Sequence, residues 1–265
     1  VNRPVNAPLK AALIDIQGTL LSPDGTPYPR AGEAVAAIRA IGLAVRFVTN
    51  VDSVTVEALV ARLRAAGIDV SPAEVFSPVS AALSFLRRHG KPRCFLLLPD
   101  DIESDFSAFC SDGPRIDYVV VGDCREGFTY DRLNGALRHL MNGAELVALQ
   151  MGRYFRGPDG PVLDTGAFVS ALEYASARRA YVIGKPSTEL MRLAIADVGC
   201  DVYDAVMIGD DVGSDVAGAH AVGTRSVLVR TGKFTLAGLE QSEFKPELVV
   251  DSIADVPAAL GDLGL

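Results

Sequence analysis

"AALIDIQGTLL", residues 11–21, ends an apolar run on one aspartate and puts a glutamine two residues later. Leu13, Ile14 and Ile16 flank Asp15, which reads as the end of a short buried strand, with Gly18-Thr19 turning the chain behind it. An acid at the carboxyl edge of a parallel strand is a candidate nucleophile or metal ligand. On this stretch alone, a helix cap or a solvated loop acid is the simpler reading.

Downstream, Val35, Ile38 and Ile41 recur at helical spacing before Gly42, and "LAVRFVTN" (residues 43–50) is a strand-like run ending in Thr49 and Asn50. A second helix follows, with Val56, Leu59, Val60 and Leu63 on one face and Gly67 as its stop. This β-α-β-α alternation predicts an α/β fold with a parallel sheet covered by helices. The alternation continues through residues 77–166, where "SDGPR" and "RGPDGP" make turn-rich joints and no titratable cluster is expected at the strand ends. That stretch reads as an inserted domain within a core of residues 1–76 and 167–265. The outer pattern resumes at "RRAYVIGKPS", followed by a helix, the strand "DAVMIGDD", a helix over residues 215–222 and the strand "RSVLVRTG".

With 265 residues, 49% hydrophobic and 22% charged, the chain has the composition of a folded protein with a full core. Its net charge of -8 argues against nucleic acid or an anionic membrane as the main partner. Cys94, Cys110, Cys124 and Cys200 form no CxxC pair, so neither a zinc site nor a disulfide framework is indicated. The start lacks a signal-peptide core and no segment has ~18 uninterrupted apolar residues, so a cytoplasmic location is expected.

Ligands of an open parallel sheet collect beyond the carboxyl ends of its strands. In chain order those positions hold Asp15 and Gln17, Thr49 and Asn50, Lys185 in "VIGKP", and Asp210, Asp211 and Asp215 in "MIGDDVGSDVAGA". Singly each has a plainer explanation as a turn, a solvated charge or acids at a helix start. Together they suit phosphoryl transfer. Carboxylates hold Mg²⁺, a lysine and a hydroxyl neutralise phosphoryl oxygens, and one carboxylate attacks phosphorus.

In this order the four segments resemble the signature motifs of the haloacid dehalogenase (HAD) superfamily, in its subfamily IIA. The resemblance spans nearly the whole chain, including "GRYF" (residues 152–155) and "LDTGAFVSALEYA" (residues 163–175). It implies a Rossmann-like core with a large inserted α/β cap over residues 77–166, acting on a small phosphorylated substrate. Asp15 would be the nucleophile. Thr49, Asn50 and Gln17 would bind substrate, and Lys185 would stabilise both nucleophile and phosphoryl group. Mg²⁺ would be held by Asp15, the backbone carbonyl of Gln17 and Asp210, with Asp211 and Asp215 as neighbouring acids. Relatives often dimerise, so a homodimer is expected on the same ground. The cap would line the substrate pocket, with Arg153, Tyr154 and Arg156 as candidate contacts.

Most phosphatases of this superfamily carry a second aspartate where this chain has Gln17. A glutamine neither protonates the leaving oxygen nor deprotonates water, although its amide still donates. The expectation is a phosphatase that is slow or selective for good leaving groups. The alternative is an impaired phosphate- and Mg²⁺-binding protein with a regulatory or partner-binding role. A P-loop is excluded because Pro186 follows the lysine and Arg179 stands where the first glycine belongs. The acids around Asp210 argue for a metal and against metal-free dehalogenation.

Overall fold

All four residues of strand β1 (Ala11–Ile14) are buried, as expected for an apolar run without polar alternation in a parallel sheet. The computed structural model describes residues 8–263 except 91, 112, 114 and 158. In chain order follow β2 (Ala44–Val48), β3 (Val75–Phe76), β4 (Cys94–Leu97), β5 (Tyr118–Val121), β6 (Glu145–Ala148), β7 (Tyr154–Gly157), β8 (Gly160–Leu163), β9 (Tyr181–Val182), β10 (Ala205–Gly209), β11 (Arg225–Val229) and β12 (Leu248–Val250). They form a parallel sheet in the order β12-β11-β10-β1-β2-β3, a second parallel sheet β4-β5-β6-β9, and the antiparallel pair β7-β8. Helices connect the parallel strands, giving the expected α/β architecture.

Two compact units result: one contains Val1–Thr49, Val56–Phe76 and Lys185–Leu265, the other Asn50–Thr55 and Ser77–Gly184. The boundary expected at 166/167 falls inside the second unit. The helix Thr165–Ser176 contributes Val169 and Leu172 to a buried cluster with Val119, Val121, Leu140 and Leu146. β9, read from sequence as part of the outer alternation, pairs with β6 through Val147 and Tyr181. Sequence periodicity locates elements but not the sheet each one joins. The "RGPDGP" stretch, read as a joint, likewise contributes Arg156 and Gly157 to β7 and Gly160 and Pro161 to β8, which pair with each other.

In the first unit, β1 lies between β10 and β2. Ile14 is in register with Ile208 on one side and Phe47 on the other. Asp15, Asp210 and Thr49 are therefore each at the carboxyl end of one of three adjacent strands. The helix Thr188–Val198 packs on β1 and β2. The Ser187 side chain caps it, Leu190, Met191, Ala194 and Ile195 are its buried face, and Gly199 ends it in the left-handed region at φ 73°. After β10 the expected helix over 215–222 begins differently: a π-helical turn spans Val212–Val216 and the α-helix covers only Ala217–Val222. Such turns are frequent at functional sites. This one buries Asp215.

Candidate active site

Lys185 is 3% exposed and its ammonium is fully engaged. It donates to Asp15 Oδ1 at 2.6 Å, Asp215 Oδ1 at 2.7 Å and the Val48 carbonyl at 2.9 Å. An ammonium has three hydrogens, so this geometry fixes both carboxylates relative to the end of β2. Burial alone would lower the lysine pKa, but the Asp15 and Asp215 charges outweigh it and raise it, keeping the group cationic.

Asp15, Asp210 and Asp215 are all buried and present carboxylate oxygens within 4.8 Å of one another. Burial, reinforced by the Asp15 charge, pushes the Asp210 carboxyl up. Asp215 is also raised by burial, against the opposing pull of Lys185. One ammonium among three carboxylates leaves the cluster short of positive charge. Oxygen donors with excess negative charge fit a hard divalent cation. Asp210 accepts from Thr19 Oγ1 at 3.3 Å and from the Lys233 amide at 2.6 Å. Asp211 faces outward enough for Lys233 Nζ to reach it at 3.2 Å, and its amide donates to Asp215 Oδ2 at 3.1 Å. Gln17 is exposed, and the chain turns directly after it through Gly18, whose φ of 97° suits glycine.

The structure thus brings together Asp15, Lys185, Asp210, Asp211 and Asp215, with Thr49 one residue beyond the Lys185-bound Val48. Asn50 belongs to the second unit. Sequence reasoning missed Thr19, Thr231 and Lys233 as members of the site. The signal for the last two was "RTGK", polar residues just past the end of β11.

The second unit corrects the expectation of no titratable cluster. Asp52, Asp123 and Asp164 converge within 4.8 Å, from the segment after β2, the end of β5 and the cap of helix Thr165–Ser176. Their scattered positions hid them. Thr165 Oγ1 donates to Asp52 Oδ2 at 2.8 Å, Gln150 Nε2 donates to Asp164 Oδ1 at 2.6 Å, and Arg125 Nε pairs with Asp123 at 2.6 Å. Arg153 and Tyr154 are exposed, while the Arg156 side chain lies outside the described residues.

Burial lifts the Asp52 pKa to about 7, with Thr165 opposing and the Asp164 and Asp123 charges adding. An unfolded aspartate ionises near ~3.9, so this group's contribution to stability is greatest below that pH and is lost as pH rises through about 7. Asp52→Asn removes the ionisation. In paired thermal melts it is expected to exceed the parent by a few degrees at pH 8, reflecting ~1–3 kcal/mol, and to converge with it toward pH 4. Parallel profiles would mean that Asp52 ionises like a solvated acid.

Comparison with known proteins gives the same family from both sequence and structure. A family model described as haloacid dehalogenase-like hydrolase matches residues 12–109, and one described as HAD-hydrolase-like matches residues 182–256. The chain is 40% identical over 244 residues to haloacid dehalogenase-like hydrolase domain-containing protein 2 of Homo sapiens, covering 92% of this chain and 93% of that one. It is 37% identical over 254 residues to phospholysine phosphohistidine inorganic pyrophosphate phosphatase of Homo sapiens, covering 94% and 93%. Its fold matches p-nitrophenyl phosphatase from Archaeoglobus fulgidus with a TM-score of 0.89 at 30% identity, over 96% of this chain and all of that one. On this similarity over more than nine tenths of its length, the chain belongs to the haloacid dehalogenase superfamily of hydrolases.

Proposed function

We propose that the protein is a Mg²⁺-dependent phosphatase that forms an aspartyl-phosphate on Asp15 and favours small phosphorylated substrates with good leaving groups. The observation that carries this reading is the buried Lys185 ammonium, which holds Asp15 at the strand end beside two further buried carboxylates.

Lys185 occupies Asp15 Oδ1, which leaves Oδ2 as the attacking atom. Attack forms an Oδ2–P bond as the P–O or P–N bond to the leaving group breaks. Thr49, Asn50 and the Gln17 amide would hold phosphoryl oxygens, a role supported by the resemblance, and Lys185 supplies positive charge beside the nucleophile. Asp15, Asp210 and the Gln17 backbone carbonyl would hold Mg²⁺, with Asp211 and Asp215 beside them. When bound, Mg²⁺ would act as a Lewis acid on the phosphoryl group. Water then hydrolyses the acyl phosphate.

Gln17 supplies no acid for the departing atom, so leaving groups stable as anions, or already protonated, are favoured. Two relatives fit this selectivity by name, p-nitrophenyl phosphatase and phospholysine phosphohistidine inorganic pyrophosphate phosphatase. A homodimer rests on the resemblance alone. A cytoplasmic location rests on the sequence reading, in which the cysteines form no CxxC pair; among the described residues no helix is long and apolar enough to cross a membrane.

The test is phosphate release from an aryl phosphate, pyrophosphate and a sugar phosphate, with Mg²⁺ and after chelation. Release is expected to require the metal and to be slowest from the sugar phosphate. Equal rates would remove the leaving-group clause. No release from any of the three, with a phosphate analogue still bound, would favour a non-catalytic binding protein.

A further inference from the structure

The loop after β11 touches the candidate metal site at several points. Thr231 Oγ1 donates to the Gly18 carbonyl at 2.5 Å, and the Lys233 amide donates to Asp210 Oδ2 at 2.6 Å. Between them, the Gly232 amide donates to the Tyr28 hydroxyl at 3.2 Å. Gly232 has a φ of 57°, and a Cβ there would collide with the Asp210 carboxylate and come within 2.6 Å of Gly18 Cα. No larger residue fits without moving one of them.

The opposite side of the same turn is also fixed. The Gly18 amide donates to the Leu21 carbonyl at 2.7 Å. The planar Gln17–Gly18 peptide is thus held by its N–H, and the next peptide by its C=O, which together set the direction of the Gln17 carbonyl. Both Asp210 oxygens are engaged, one by Thr19 and one by the Lys233 amide.

We propose that the loop Thr231–Gly232–Lys233 orients the divalent cation's ligands, with Thr231 as a positioning residue for the Gln17 carbonyl and the Lys233 amide as the brace of Asp210. A main-chain ligand after β1 and a side-chain ligand after β10 are then aligned by one segment after β11. The inference rests on the reading of this site as a metal-dependent phosphatase. Groups that orient ligands without touching the metal typically contribute ~10–100-fold in affinity.

Mn²⁺ serves as the probe, with the free ion followed by electron paramagnetic resonance and the metal-free melting temperature measured in parallel. Thr231→Val, which removes only the donor, is expected to weaken Mn²⁺ binding by ~10–100-fold while leaving the metal-free melting temperature within a few degrees of the parent. Thr231→Ser is expected to restore binding. Parent-like affinity in the valine variant overturns the positioning role and leaves the site reading intact. A loss shared by the serine variant, or one that tracks a collapsed melting temperature, marks a fold requirement and also overturns it. A parent that binds no Mn²⁺, or binds it equally after Asp210→Asn, overturns the site reading and the inference with it.

Discussion

Asp15→Asn is expected to lower phosphate release from an aryl phosphate by at least ~10⁴-fold without lowering the melting temperature of the metal-free protein. Removing a nucleophile leaves only binding and electrostatic contributions to rate. Stability behaves differently because of the charge balance. Asp15 is one of three clustered buried carboxylates, two of which pair with Lys185, and Lys185 keeps Asp215 and the Val48 carbonyl as partners when Asp15 is replaced by a neutral residue. The substitution therefore removes a repelling charge from Asp210 and Asp215 without stranding the lysine. A rate loss accompanied by an equal loss of folded protein would instead make Asp15 a structural residue.

The second large effect is a gain. Gln17→Asp is expected to raise turnover of a sugar phosphate by ~10²–10⁴-fold, the range typical of a positioned acid and base. The aryl phosphate, whose leaving oxygen needs little protonation, should gain far less. Because Gln17 is exposed, a carboxylate there carries little desolvation penalty and should be accommodated without refolding the turn. Rates compared across leaving groups of graded basicity should fall steeply for the parent and shallowly for the variant. If the ratio of sugar to aryl turnover is the same in both, Gln17 does not determine selectivity.

The clustering of the candidate site was legible in the sequence because parallel-sheet geometry converts chain order into proximity. Each apolar run stopped on a polar residue, and register then aligned Asp15, Thr49 and Asp210 at neighbouring strand ends. Lys185 was legible as a charge following an apolar strand, but its engagement of Asp215 depends on the π-helical turn, which no periodicity announces. The Asp52, Asp123 and Asp164 cluster was hidden because its acids come from three distant segments and none stands alone at the end of an alternating run. The boundary near 166 failed for a related reason. The helix Thr165–Ser176 and β9 have ordinary core-like patterns, and only pairing with β6 assigns them to the second unit.

Gln17 also makes the proposed intermediate observable. A good leaving group departs without acid help, whereas hydrolysis of the acyl phosphate lacks the usual base, so the phosphorylated enzyme should accumulate. The decisive measurement is mass spectrometry of the parent quenched in acid during turnover of an aryl phosphate with Mg²⁺. The expected result is one added phosphoryl group on Asp15, absent after chelation and absent in Asp15→Asn. Steady turnover with phosphate carried on another residue, or with Asp15→Asn releasing phosphate as fast as the parent, would contradict it.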